Sequence, residues 1–232
     1  HYYGEVAFGQ QSDVVEVNVE DPVEGFHIEM WAKAPELYSV QIISPTGERT
    51  AGVRVQQDGR EVYRFVFENT QATIDYRIVG TATGDQLIYI RFDQPTRGIW
   101  TIEVNGNYSI EGRYHMWLPI TGLIAGDISF IRSNPDTTIT MPGNAAAPMT
   151  AGGYNAGNGS IYLNSSRGYT ASGQVKPDFA APGVNVIGPV PGNRFEARSG
   201  TSIAAAITAG AAALYLEWAV ERGYNTDITN AE

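Results

Sequence analysis

The sequence predicts an all-β sandwich over residues 1–118 followed by an α/β layer over residues 119–232. Three observations carry this expectation. Of the 40 charged side chains, 26 lie in residues 1–118, so the composition shifts near Leu118-Pro119. The first part alternates apolar and polar residues with period two between turn signals, as half-buried strands do. The second part gains Ala and Gly runs and closes on one convincing helical pattern.

In the first part, Val15, Val17 and Val19 share one face of a strand, with Val14, Glu16 and Asn18 on the other. Phe26, Ile28 and Met30 repeat the pattern, as do Tyr63, Phe65 and Phe67. Turns are expected at "SPTGE" (44–48), "QDGR" (57–60), "TATGD" (81–85), "QPTRG" (94–98) and "VNGN" (104–107). About eight short strands at this spacing suggest an antiparallel sandwich of the jelly-roll type. Trp31, Trp100, Trp117 and the aromatics of 63–67 fall on alternating faces, which core packing explains better than a glycan site does.

The second part reads as short apolar strands, Gly-rich loops and a helix over roughly Ser202 to Arg222, stopped by Gly223. That helix is apolar nearly all round and is therefore expected to be buried, with Gly210 as a thin place for a neighbouring backbone. Its continuous apolar run, Ile203 to Leu216, falls short of the ~18 residues that span a bilayer and is followed by Glu217. The opening "HYYGEVAFG" lacks a Met, a basic leader and an apolar core, and is expected to be the interior of something longer.

Composition bounds the chemistry. With 25 acidic and 15 basic residues the net charge is -10, which argues against nucleic acid and anionic lipid as partners. There is no Cys, which excludes disulfides, thiolate metal sites and a Cys nucleophile.

The most informative stretch is "SGTSIAAAITAG", Ser199 to Gly210. A Ser at a helix N-terminus sits beside unpaired amides and the positive end of the helix dipole, so an oxyanion formed at Ser202 would find the Ser202 N–H as a donor. Gly200 lets the preceding chain bend without a side chain in the way. The plainer alternative is that Ser199, Thr201 or Ser202 caps the helix, the ordinary task of such residues there.

Upstream lie "KPDFAAPGVNV" (Lys176 to Val186), "SSRG" (Ser165 to Gly168) and "ITMPGNAAAPMTAGGYN" (Ile139 to Asn155). In this order and spacing they resemble the C-terminal part of the subtilisin-like serine protease (subtilase) catalytic domain. The resemblance implies that Ser202 is the acyl-forming nucleophile, that Gly200 and Thr201 support the turn and the oxyanion, and that Pro182 and Gly183 shape the chain beneath the site. Two positions depart from the common family pattern: Ala206 and Ile207 stand where a Pro is usual, and Tyr169 stands where Pro is frequent. The first departure does not threaten the fold, because Ala continues a helix better than Pro does.

The family's Asp and His contexts, D-[ST]-G and H-G-T, do not occur in this sequence. His27 and His115 fall in strand patterns of the first part, and His1 stands at its beginning. Asn144, Asn155 and Asn158 are candidates for the oxyanion Asn by residue type alone, and the Gly-Asn pairs at 143–144 and 157–158 read as turns. "PTRGIWTIEVNG" (95–106) and "YHMWLP" (114–119) resemble the closing strands of the jelly-roll insertion of the Csp-type germination proteases, a subtilase subgroup of spore-forming bacteria. The fold implied is an α/β subtilisin-like segment plus an all-β jelly-roll insertion, with the Asp, His and oxyanion Asn upstream of residue 1.

The resemblance implies a serine endopeptidase acting on protein or peptide substrates, completed by the remainder of its catalytic domain. It implies no metal or organic cofactor, and an extracytoplasmic or spore-associated setting. A second reading is a pseudoprotease, a binding or regulatory scaffold that kept the fold without the catalytic set.

Overall fold

Period-two alternation becomes two antiparallel sheets in a computed structural model, which describes residues 1–6, 11–21, 23–51, 59–79, 84–120, 123 and 126–224. The chain divides into two compact units, His1–Asn134 and Pro135–Glu232. The first contains β1 (Tyr2–Glu5), β2 (Ser12–Val19), β3 (Gly25–Ala32), β4 (Leu37–Ile43) and β5 (Gly59–Phe65). It continues with β6 (Thr70–Val79), β7 (Asp85–Asp93), β8 (Gly98–Tyr108), β9 (Arg113–Trp117) and β10 (Ile128–Phe130). One sheet has the order β1-β9-β3-β7-β6-β5 and the other β10-β2-β8-β4.

The predicted faces hold where the strands do. Val15, Val17 and Val19 are fully buried while Val14 is exposed, and Phe26, Ile28 and Met30 point into the same core. Trp100 is fully buried between Phe65 and Phe92, at ring centroid distances of 5.0 and 5.2 Å, and donates its indole N–H to the Thr96 carbonyl at 2.9 Å. An indole is tolerated at the centre because its one polar atom has a partner.

Four expectations change. Phe67 is 81% exposed, because β5 ends at Phe65 and the chain turns over 66–69, with Asn69 at φ 52°. "VNGN" lies inside β8, whose Asn105 pairs with Ser12 and with Ser39; opposite Leu37 and Tyr38 the register passes from Tyr108 to Gly106, so the bulge falls at Asn107, just after the Asn-Gly pair. The described residues of this unit form ten strands instead of about eight, and the unit ends later than Leu118, because β10 returns to pair with β2. Residues 57–58 of "QDGR" and 81–83 of "TATGD" lie outside the described residues.

The edge of β4 is closed by side chains. Its backbone N–H groups at Tyr38, Val40 and Ile42 donate to Gln86 Oε1 (2.7 Å), the Tyr76 hydroxyl (3.2 Å) and Thr50 Oγ1 (3.0 Å). Gln86 and Tyr76 come from β7 and β6 of the other sheet, so these bonds also tie the two sheets together through the core.

The second unit contains β11 (Ala151–Tyr154) parallel to β12 (Phe179–Pro182), and a hairpin of β13 (Val186–Val190) and β14 (Arg194–Arg198). Helix α1 (Thr201–Leu216) follows and passes into a π-helical turn, Glu217–Glu221. Gly223, at φ 73°, takes the left-handed conformation that ends the helix, as expected.

Two expectations for α1 are overturned. Of its residues only Ala204 is buried, and a Cβ built at Gly210 meets nothing within 4 Å. An apolar helix stays exposed when few neighbours cover it, and here α1 packs against β11 and β12 on one side only. With its π-helical continuation it runs Thr201–Glu221, long and apolar enough to cross a membrane by length and composition, although its apolar run was expected to be too short. A single helix of this kind is also the pattern of a core helix.

Candidate active site

Three short segments of the second unit converge on Gly183. The parallel pair β11–β12 brings Tyr154 alongside Pro182, and the Gly183 N–H donates to the Tyr154 carbonyl at 2.9 Å. The Gly183 carbonyl accepts from the Gly200 N–H at 2.8 Å, and the Gly200 carbonyl accepts from Ile203 N–H at 3.1 Å and Ala204 N–H at 3.4 Å. A backbone relay therefore runs from the sheet through Gly183 and Gly200 into the first turn of α1. The crossing is tight: a Cβ on Gly183 would lie 3.2 Å from the Gly153 Cα and 3.2 Å from the Gly200 carbonyl oxygen, close enough that its neighbours would have to give by a few tenths of an ångström.

Beyond this relay stands Ser202, exposed, in the first turn of α1. The capping alternative does not describe it. The N-cap is Gly200, in extended backbone, and no side chain caps the helix. Ser199, the other candidate, has its hydroxyl engaged elsewhere: it accepts the Asn185 N–H at 2.9 Å and faces Asn185 Oδ1 at 3.5 Å. The Thr201 and Ser202 amides are left without an intrahelical partner, and no acidic residue lies in the first turn. A free hydroxyl beside free amides at the positive end of a helix can attack a carbonyl and receive the negative charge that forms.

The remaining motifs hold this arrangement in place. Lys176 has a side chain only 4% exposed, and its ammonium donates to the Pro148 carbonyl (2.7 Å) and to both oxygens of Asp178 (3.0 and 2.8 Å). Asp178 Oδ2 also accepts the Thr150 N–H at 2.7 Å, which fixes the start of β11. Burial would raise the Asp178 carboxyl, but Lys176 and the Thr150 N–H together hold it below the usual carboxylate range. An ammonium removed from water needs such partners, and here all three of its contacts are made.

Ser165, buried in "SSRG", accepts the Gly153 N–H at 3.0 Å, and the Gly153 carbonyl accepts from Tyr162 at 3.0 Å. Asn185, at φ 52°, with Ser199 closes the base of the β13–β14 hairpin immediately before Gly200. Sequence reasoning quoted the segments that carry Ser165 and Asn185 without giving these side chains a role, and offered Ser199 only as a helix cap. The Asn in "PGVNV", followed by a strand, was the available signal, since Asn tolerates the left-handed region.

Asn155 Oδ1 accepts the Gly157 N–H (2.9 Å), and Asn158 Oδ1 accepts from Ser160 N–H (3.0 Å) and hydroxyl (2.7 Å). Both are turn residues, and Asn144 also lies in a turn. His27 and His115 lie on the outward face of the six-stranded sheet, in β3 and β9. His1 Nε2 is 2.9 Å from His115 Nδ1, within the first unit. Among the described residues no group of three or more His, Asp or Glu converges as a metal-ligand set.

Comparison with known proteins points in one direction. The Subtilase family profile matches residues 38–231. C5a peptidase of Streptococcus pyogenes is 34% identical over 93 residues, which are 40% of this chain and 8% of that protein. Serine protease AprX of Bacillus subtilis is 35% identical over 121 residues, covering 43% of this chain and 26% of that protein. The solved structure of the Clostridium perfringens CspB protease superposes with a TM-score of 0.84 and 25% identity, covering 97% of this chain and 47% of that one. The chain thus spans less than half the length of each of these relatives.

Proposed function

The chain belongs to the subtilase family, and from that membership we propose that it is the nucleophile-bearing part of a subtilisin-like serine endopeptidase. One observation carries the reading: Ser202 stands exposed and uncapped at the head of α1, with free amides beside it, and the relay through Gly183 and Gly200 fixes its backbone.

In this mechanism the Ser202 hydroxyl gives its proton to a His and attacks the peptide carbonyl. The oxyanion is received by the Ser202 N–H and by an Asn amide. The His proton passes to the leaving amine, and water then hydrolyses the acyl-enzyme through the same base. The His, its Asp and the oxyanion Asn belong to a segment preceding residue 1. The exposed apolar surface of α1, where Leu214, Tyr215 and Leu216 are about half or more open to water, supports a core completed by further chain.

The first unit is read as a jelly-roll insertion of the Csp-type subgroup, lying between the oxyanion Asn and the nucleophile. In support, its strand pairs nest: β5·β6 lies inside β3·β7, which lies inside β2·β8. The likeness to the CspB protease, which extends over 97% of this chain, supports the same reading. Substrates are protein or peptide chains.

A fluorophosphonate probe applied to the full-length gene product tests the proposal. The expected result is one labelled site, lost in Ser202→Ala with the circular dichroism spectrum unchanged. Absence of labelling in the folded wild-type product would leave the pseudoprotease scaffold as the better account.

A further inference from the structure

The charges around Ser202 differ in sign from those of the chain as a whole. Residues 135–203 hold four basic and three acidic side chains, whereas the whole chain has 15 basic and 25 acidic. Lys176 is spent on Asp178, and Arg167 and Asp136 balance in number, so the excess lies on the β13–β14 hairpin, which has Arg194 and Arg198 against Glu196. Arg198 is also the charged residue nearest to Ser202 along the chain. The first one on the other side is Glu217, at the far end of α1, about 22 Å on at ~1.5 Å per residue.

Register pairs Arg194 with Val190, Glu196 with Gly188 and Arg198 with Val186, so the three charged side chains share one face of the hairpin. Arg198 Nη2 meets Glu196 Oε2 at 2.6 Å, and Arg194 Nη2 stands 3.9 Å from Glu196 Oε1. One carboxylate between two guanidinium groups leaves a net positive charge. The Arg198 side chain is 66% exposed, so the donors that Glu196 does not take face water. The backbone that carries it is fixed relative to the nucleophile. Ser199 Oγ accepts the Asn185 N–H at 2.9 Å and the Gly200 N–H donates to the Gly183 carbonyl at 2.8 Å, so the end of β14 and the head of α1 are tied to the same stretch, 183–185.

Four residues span at most about 14 Å, and a substrate held extended over Ser202 advances about 3.3 Å per residue. A side chain two or three positions from the scissile bond, on the hairpin side, therefore comes within reach of Arg198. An exposed guanidinium sorts such side chains by charge: it attracts a carboxylate with a matching pair of acceptors and repels an ammonium. Resting on the serine endopeptidase reading of Ser202, we propose that Arg198 is a specificity-determining residue and that the substrates are peptide segments with an acidic residue close to the scissile bond.

The test uses the full-length protein and quenched fluorescent peptides that differ only in carrying Asp, Asn or Lys at one position within three residues of the cleaved bond. At the responsive position Asp is expected to be favoured over Asn by about threefold in kcat/KM, and Asn over Lys by about threefold, the value of an exposed charge pair. The preference should reside in KM, since the contact is the same in the ground and transition states, and should fade between about 0.05 M and about 0.5 M salt. Arg198→Glu should reverse the order at that position, while Glu196→Gln, which releases Arg198, should steepen it. Fluorophosphonate labelling of the wild-type protein separates the two readings. A labelled Ser202 without a preference for Asp, or with a preference that neither variant moves, overturns this proposal alone; absence of labelling overturns the peptidase reading and this proposal with it.

Discussion

Gly183→Ala and Gly210→Ala make the same chemical change with opposite expected outcomes. At Gly183 the added methyl would stand 3.2 Å from the Gly153 Cα and the Gly200 carbonyl oxygen, and 3.6 Å from the Ala204 Cβ. Two of those three neighbours are backbone, so relief requires the relay itself to move by a few tenths of an ångström. Overpacking of this kind costs about 1–3 kcal/mol, and the reduced freedom of the unfolded chain offsets about 0.4–1 kcal/mol. The net loss is therefore about 0–2.6 kcal/mol, centred near ~1.3 kcal/mol. At Gly210 the methyl meets nothing within 4 Å, and removing a helix-interior Gly stabilises by about 0.5–1 kcal/mol. Urea unfolding followed by far-ultraviolet circular dichroism gives both values from the shift in midpoint. A displacement of about 0.2–0.3 Å at the head of α1 should also slow fluorophosphonate labelling of Ser202 by about threefold in Gly183→Ala, scaling from the hundredfold cost of a 1 Å misplacement. Gly210→Ala should leave labelling unchanged. Equal stability changes of the same sign in both variants would refute the relay, because they would show that the methyl at the crossing meets no more resistance than one in open water.

Glu36 is buried and accepts backbone N–H bonds from Ile110 (2.9 Å) and Glu111 (2.7 Å) and the Tyr38 hydroxyl (3.1 Å). Burial alone would raise its carboxyl, but these bonds hold it below the ordinary 4.5. Its stabilisation is therefore complete above 4.5 and is lost as pH falls through the lower folded value. Glu36→Gln should cost about 1.5–3 kcal/mol at neutral pH and flatten the acid limb of a plot of melting temperature against pH. Burial, with Lys33 nearby, lowers the His115 imidazole below 6.5. The unfolded chain then takes up that proton first, so stability declines as pH falls from 6.5 toward the folded value. Nuclear magnetic resonance titration should place the His115 midpoint below 6.5; a midpoint above it would contradict the burial. Trp100→Ala should cost about 3–5 kcal/mol, read by the same urea transition, since the residue fills the centre of the sandwich.

The sandwich was legible because its signal is local. Val15, Val17 and Val19 alternate with polar residues, and the residues on the buried face are those with no exposed surface. Where backbone pairing outweighed local chemistry, the reading failed: Asn105-Gly106 has the composition of a turn, yet β2 and β4 pair with Asn105 and β4 with Gly106, which holds both within β8. Phe67 continues an alternating pattern that the chain has already left after Phe65, in a turn whose left-handed residue, Asn69, nothing in the period announces. At the candidate site it was the family resemblance of "KPDFAAPGVNV" and "SGTS" that drew attention to Gly183 and Ser202, which lie at a backbone crossing and in the first turn of α1. The contacts of Ser165 with Gly153 and of Ser199 with Asn185 join residues 12 and 14 positions apart and depend on the sheet being formed first. The exposure of α1 was also not legible, since composition reports what a helix prefers to touch and not how much of that surface is within reach.

The side-chain seal along β4 has a consequence for association. An outer strand normally presents a ladder of vacant amides to which any extended chain can add, the route to strand exchange and fibre growth. Here the three amides that would begin such a ladder already donate to Gln86, Tyr76 and Thr50. An incoming strand would have to extract a glutamine and a tyrosine from the hydrophobic centre before forming its first bond. Replacing Gln86 with Leu would unlock that border and leave the Tyr38 amide and carbonyl seeking partners, so such a variant should self-associate through β4 while the wild-type border stays inert.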